Sequence, residues 1–148
     1  MKNLILIFFI LTNICYSQDI KENIVGDWNG IDIDGNKEKM IFSNDNYVSM
    51  TINGEFIDGK NYVIKRGKNN GQKGFIKYEI DNTSLPAKID IIVLTLENNQ
   101  ETEKGRILGI LNFINENEMK INLNFGGFRE SEFNDSNKEN TITLKRKE

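Results

Sequence analysis

The sequence has 148 residues, 28% of them charged and 38% hydrophobic, with 19 Lys and Arg against 22 Asp and Glu. That length supports one domain with its own core. With no His anywhere and one Cys, the chain excludes a Ser-His triad and any metal site built on several His or Cys.

Met1-Lys2-Asn3 leads into an uncharged apolar run, Leu4 to Leu11, then Thr12-Asn13-Ile14-Cys15-Tyr16-Ser17-Gln18. A positive start, a short apolar run and a small residue before Gln18 describe a secretory signal peptide over 1–17, cut between Ser17 and Gln18. Residues 18–148 then form the domain, secreted or periplasmic. The run falls short of the about 20 apolar residues that a bilayer span needs, so no integral span is expected. Two other readings are a buried N-terminal helix and a lipoprotein acylated at Cys15, the latter disfavoured by Ile14 where a small residue belongs. Cleavage removes the only Cys and Lys2, leaving 18 basic and 22 acidic residues, a net charge of −4. The mature chain is then expected to hold no disulfide and no Cys nucleophile, and its charge argues against nucleic acid or an anionic membrane as partner.

Gln18 to Val25 is a polar lead-in with room for one helical turn. Strands follow over Gly26–Ile33, Lys39–Phe42 and Tyr47–Ile52, separated by Asp34-Gly35 and Asn44-Asp45-Asn46, which tolerate the positive φ of tight turns. A short arm, Glu55–Ile57, lies between Asn53-Gly54 and Asp58-Gly59. Asn61–Lys65 is a strand, Arg66–Gly74 a glycine-rich loop, Phe75–Ile80 a strand, and Asp81–Ala87 a loop with the only Pro, Pro86. Ile89–Leu96 is a strand and Asn98–Gly105 a charged turn.

Arg106–Phe125 is the clearest hairpin. Met119, Ile121, Leu123 and Phe125 alternate with Lys120, Asn122 and Asn124, which puts the two sets on opposite faces of a strand. A turn at Asn115–Asn117 sets Leu111 opposite Ile121, Gly109 opposite Leu123 and Ile107 opposite Phe125. Gly126–Asn140 is a long polar loop, and Thr141–Lys147 is the last strand.

About eight or nine short strands with regular turns and no βαβ pattern predict an all-β, antiparallel up-and-down barrel in one domain. Strand Ile89–Leu96 is apolar on both faces, with Ile91 and Val93 on one and Ile92, Leu94 and Leu96 on the other. Leu108, Ile110 and Ile114 continue the outer set. A strand apolar on both sides is covered on both sides: by the lead-in, by a loop, or by a second subunit, so the chain is a monomer or a homodimer.

Gly26-Asp27-Trp28 on the first strand resembles the Gly-x-Trp signature of lipocalins and related calycin-like barrels. In order after it come Tyr78-x-Ile80-Asp81, Pro86-x-Lys88-Ile89-Asp90, Gly105 to Leu111, Met119-Lys120-Ile121 and Thr143-Leu144-Lys145-Arg146. Together they are similar to a large family of uncharacterised secreted bacterial domains, abundant in planctomycetes and described as lipocalin-like. Arg129-Glu130-Ser131-Glu132-Phe133 keeps the Arg and Phe of that family's Arg-Pro-x-x-Phe segment but lacks its Pro. The resemblance implies an up-and-down barrel in which Trp28 closes one end beneath a basic residue, Arg146 or Lys145. It brings no established activity.

The expected ligand site is the barrel interior, where Ile107, Gly109, Leu111, Phe113, Met119, Ile121, Leu123 and Phe125 face inward and Gly109 opposite Leu123 leaves local room. A barrel of about eight strands is filled by side chains or holds one small ligand; here a small apolar or amphipathic molecule is the expected partner. The alternative is a filled barrel acting as an envelope interaction module through its outer apolar strands. Arg129, in Gly126-Gly127-Phe128-Arg129, is read either as a lid residue for an anionic ligand group or as a surface Arg paired with Glu130 or Glu132. Asp32-x-Asp34-Gly35-Asn36-x-Glu38 has the alternating oxygens of a calcium loop, but its Gly is fourth where an EF-hand wants it sixth, and a hairpin turn accounts for the same residues. Asp90, Glu97, Glu130 and Glu132 could supply glycosidic carboxylates, yet no aromatic cleft brackets two of them. No enzyme, cofactor or metal is expected.

Overall fold

The computed structural model describes residues 20–65 and 67–148. The expected signal peptide, its expected cleavage point and Cys15 lie outside the described residues. A helical turn, α1 (Ile20–Asn23), precedes ten strands: β1 (Gly26–Ile31), β2 (Lys37–Phe42), β3 (Val48–Ile52), β4 (Glu55–Ile57), β5 (Tyr62–Val63), β6 (Lys73–Asp81), β7 (Ala87–Glu97), β8 (Gln100–Asn115), β9 (Glu118–Asn124) and β10 (Thr141–Arg146). All pairings are antiparallel between chain neighbours, except that β10 returns to β1. The result is a nearly closed up-and-down barrel. The count exceeds the expected eight or nine because the arm Glu55–Ile57 pairs with β3 as a strand of its own.

The sheet ends at β4 on one side and β5 on the other. Between them the wall closes through β3 and β6 rather than through a continuous ladder. Tyr47 bridges Lys77, the Tyr78 N–H donates to Asn46 O (2.9 Å) and the Ile76 N–H donates to Gly59 O (2.8 Å). Gly59 is wedged at this seam: a Cβ there would fall within contact distance of the Val48 carbonyl and 3.0 Å from Ile76 O. A Lys65–Glu55 ion pair spans the remaining slot.

The β7–β8 turn is shorter than its sequence implied. Asn98 and Asn99 both take positive φ, a two-residue turn that joins Glu97 to Gln100. Gln100–Gly105, read as a charged turn, is instead the first part of β8. Its charged residues are solvated on a projecting hairpin, and charge alone did not mark a turn. The β8–β9 hairpin has the expected register at Leu111–Ile121 and Gly109–Leu123. It departs at its end: β9 stops at Asn124, whose Oδ1 accepts the Gly126 N–H (2.7 Å) and turns the chain away. Phe125 is therefore unpaired with Ile107 and 63% exposed.

Inward residues of every long strand form one core, including Trp28, Phe42, Val48, Ile76, Ile89, Ile91, Leu111, Met119, Ile121 and Leu144. The outer face of β7–β9 is covered in part by a loop, one of the three covers the sequence allowed, while Leu96 and Ile114 stay exposed. This strap, residues 125–140, contains a 3-10 turn (Asp135–Asn140) capped by Asn134. Asn122, fully buried, donates to Asn137 O (3.1 Å) and Thr141 Oγ1 (2.9 Å). At the other end of the strap Arg129 reaches Asp90 of β7. The strap so crosses β8, where Ile110 is buried on the outer face.

Candidate functional site

The two barrel ends are built differently. At one end β1 places Trp28 inside, fully buried. Its indole N–H donates to Ile24 O (2.7 Å), and its ring meets Phe113 edge-on at 5.9 Å. Register sets Trp28 opposite Arg146 of β10, and the guanidinium carbon lies 4.2 Å from the indole centroid. The same guanidinium donates to Val25 O (2.8 Å), Asn23 O (2.6 Å) and Glu116 O (3.3 Å). One side chain so ties α1, the β8–β9 turn and the indole together. Ile24 fills the space above with no exposure. Lys145 is one position out of phase and points outward, so the basic residue over Trp28 is Arg146.

The opposite end is hollow. A cavity of about 310 Å³ opens there, lined by Met40, Met50, Ile52, Ile121, Leu123, Ile142 and Leu144, with Phe125, Asn53 and Asn140 at its rim. Thr51 and three carboxylates, Asp32, Glu38 and Glu139, complete the lining, in which the described residues supply no basic side chain. Glu38 reaches this place by strand parity. Phe42 and Met40 of β2 are core residues, and two residues earlier the same face carries Glu38. Across the ladder stands Gly30; a Cβ there would meet Ile142 and Leu144 at 2.9 Å.

Burial pushes the Glu38 carboxyl above its usual pKa, and the charge of Asp32 adds to this. The Glu38 side chain makes no hydrogen bond or ion pair with the described residues. Asp32 differs. Its side chain accepts from the Asp34 and Asn36 N–H groups (3.0 and 2.7 Å) and from the Asn36 amide (2.9 Å). The Asn36 bonds hold its pKa below the usual range. Asp32 and Asn36, two of the residues that suggested a calcium loop, are therefore bonded to each other within a hairpin turn. Among the described residues no group of three or more acidic side chains is arranged to hold a metal ion.

The chain matches no protein-family model, no curated protein and no solved structure. The resemblance to lipocalin-like domains is met at the level of a nearly closed antiparallel barrel.

The residues expected to line the interior divide between the two ends. Leu111 and Met119 are packed into the core, with Ile107 and Phe113 partly buried against it. Ile121, Leu123 and Phe125 line the mouth. Gly109 leaves no room: a Cβ there would lie 2.5 Å from Asn122 O, 2.8 Å from Leu123 and 3.1 Å from Ile89. The space expected beside it is filled by its neighbours.

Arg129 is not a lid over the mouth. It lies on the outer wall, donating to Asp90 (2.5 Å) and to the carbonyls of Gly109 (2.6 Å) and Ile89 (3.2 Å). Its ion-pair partner is Asp90, rather than Glu130 or Glu132. The other Asp90 oxygen takes Arg106 (2.8 Å), which also holds Glu79 and Glu103. Burial raises the Asp90 pKa, but hydrogen bonds from Arg106 and Arg129 outweigh it and hold the carboxyl below the usual range. Of the other carboxylates weighed for catalysis, Glu97 pairs with Lys104 and Glu130 accepts from the Asn124 amide (3.5 Å).

Two further concavities lie on the outside. A groove of about 460 Å³ is lined by Lys21, Glu79, Asp81, Lys88, Asp90 and Arg129 among others. Its charges are already paired in part, Lys88 with Asp81 and Arg129 with Asp90. A shallower groove of about 810 Å³ runs over β1, β2 and β10, with Ile31 and Phe56 between Lys37, Lys39 and Lys145.

Proposed function

We propose that this is a secreted or periplasmic lipocalin-like protein, without enzymatic activity, that binds a small apolar or amphipathic molecule in the open end of its barrel. The observation that carries this reading is the hollow mouth. A barrel whose closed end is packed by Trp28, Ile24 and Arg146 still leaves about 310 Å³ between aliphatic side chains at the other end. That volume stands at the lower edge of the roughly 300–1,000 Å³ common for small-molecule sites. Against the aliphatic walls of that space, apolar ligand surface gains about 25 cal/mol per Å² removed from water.

Native mass spectrometry of protein purified without denaturant tests it. The expected result is a retained ligand of roughly a few hundred daltons, the size class of such sites. Ile52→Trp, which fills the mouth, is expected to lose that mass while keeping its fold. A clean protein mass, unchanged on adding a panel of aliphatic compounds, counts against the carrier reading.

A second reading rests on the outer groove. Ile31 and Phe56 are 64% and 46% exposed on one wall, and exposed apolar surface marks interaction sites. In this reading a second copy covers the groove. A dimer in solution that Ile31→Asp dissociates would support it; a monomer at high concentration would remove it.

A further inference from the structure

The mouth is apolar below and acidic above, and that polarity says what kind of molecule fits it. Its walls are Met40, Met50, Ile52, Leu123, Ile142 and Leu144, while the charged groups among its lining residues are Asp32, Glu38 and Glu139. All three are acidic. An inward carboxylate facing an apolar cavity is costly where it loses water without gaining a partner. Hairpin residues supply Asp32 with hydrogen bonds. Glu38 receives none from the described residues and stands near a second negative charge. A charge left so would be relieved by a cation that the described residues do not provide. Electrostatic complementarity selects the sign of the partner, and the cavity selects its shape.

We propose that the mouth binds a cationic amphiphile: a small molecule with a protonated amine, seated among Glu38, Asp32 and Glu139, and a short aliphatic body against Met40, Met50, Ile52 and Leu123. This deepens the carrier reading and rests on it. Glu38 is the central contact, since strand parity aims it into the barrel, and an ammonium there removes the repulsion between Glu38 and Asp32. An anionic amphiphile such as a fatty acid would meet three like charges and is rejected. The raised pKa of Glu38 makes binding pH-dependent with a definite sign. As pH falls through that value Glu38 takes up a proton and the amine loses its strongest partner. The other titratable groups at the mouth, Asp32 and Glu139, are also acids and move affinity in the same direction.

Three probes of one length decide it: octylammonium, octanoate and 1-octanol, titrated calorimetrically into the mature chain at neutral pH. The expected result is that octylammonium binds at least about tenfold tighter than octanoate, because juxtaposed like charges oppose the acid. Glu38→Gln is expected to weaken octylammonium by about tenfold, the scale of removing one partner of a partly desolvated charge pair, while changing octanol by less than about twofold. Circular dichroism checks the fold of the variant. Should that variant fail to fold, Glu139→Gln and the pH titration of the unaltered protein carry the test. Equal or tighter binding of octanoate, or an octylammonium affinity that does not fall with pH, overturns the cationic inference and leaves the carrier standing. Failure of all three probes to bind overturns both.

Discussion

Arg146 does at one residue what several would otherwise have to do. Its planar fork donates to Val25 O and Asn23 O while its face covers Trp28. A lysine keeps the charge but has neither the fork nor the plane. Arg146→Lys is therefore expected to cost about 2 kcal/mol, the scale of hydrogen bonds from a charged donor. Trp28→Ala, which empties the closed end, is expected to cost about 3–5 kcal/mol. Urea denaturation measures both, and a change under about 0.5 kcal/mol in either, typical of a surface site, would show that this end is not held as described. Asp90 poses a different question, because its two oxygens hold Arg106 and Arg129. Its folded pKa is depressed, so the stability it contributes is fully present above the unfolded value of about 3.9 and is lost as pH falls through the lower folded value. Asp90→Asn is expected to unfold at lower urea concentration than the parent at pH 7. The gap should narrow as pH falls below the unfolded value of about 3.9 toward the lower folded value, where the parent's own carboxylate protonates. A gap that is constant with pH would separate Asp90 from acid stability.

At the scale of elements, local rules wrote most of the barrel. Tight turns need positive φ, and Asn46, Asn53, Gly35 and Gly54 adopt it where the sequence offered Asx and Gly. Period-two alternation gave the β8–β9 register at Leu111–Ile121 because each side chain had one apolar face to serve. What local rules missed was non-local. The strap's path depends on Arg129 meeting Asp90 and Asn122 meeting Asn137, contacts that no turn signal or periodicity encodes. The polar face of β9 is in part buried, at Asn122 and Asn124, for the same reason. Gly59 illustrates the point in one residue. Its sequence context, Asp58-Gly59, reads as a turn, but its lack of a side chain matters because β3 and β6 close the wall on either side of it. Gly59→Ala is expected to destabilise the protein by about 1–3 kcal/mol, as overpacking does, and to weaken the seam selectively. Thermal denaturation measures the first. Retention of parental stability would mean that the two strands part without cost.

For the whole molecule, the candidate site was only half legible. The inner face of the β8–β9 hairpin could be read from alternation, and part of it, Ile121 and Leu123, does line the mouth. Glu38 was missed. It was weighed only as the last oxygen of a calcium-loop pattern that a hairpin turn also accounts for, although counting back by twos from Phe42 and Met40 puts it inside. How much of a barrel's interior stays empty is a sum over facing side chains from all strands, which one strand's pattern cannot supply. The finished sum is uneven: Trp28, Ile24 and Phe42 pack one end, while at the other the mouth adjoins the slot between β4 and β5 through Ile52 and Asn53. Such asymmetry has a dynamic consequence, because local opening is easiest where few buried contacts and short ladders hold the backbone. β4 and β5 have three and two residues and form the sheet's two edges. Hydrogen exchange read by mass spectrometry is expected to show fast exchange over residues 53–65 and slow exchange in β1, β9 and β10. Octylammonium is then expected to slow exchange around Ile52 and Asn53, which border both openings, and to leave the Trp28 end unchanged. Uniform protection around the barrel would refute the asymmetry. Slowing confined to the Trp28 end would place the ligand's path elsewhere.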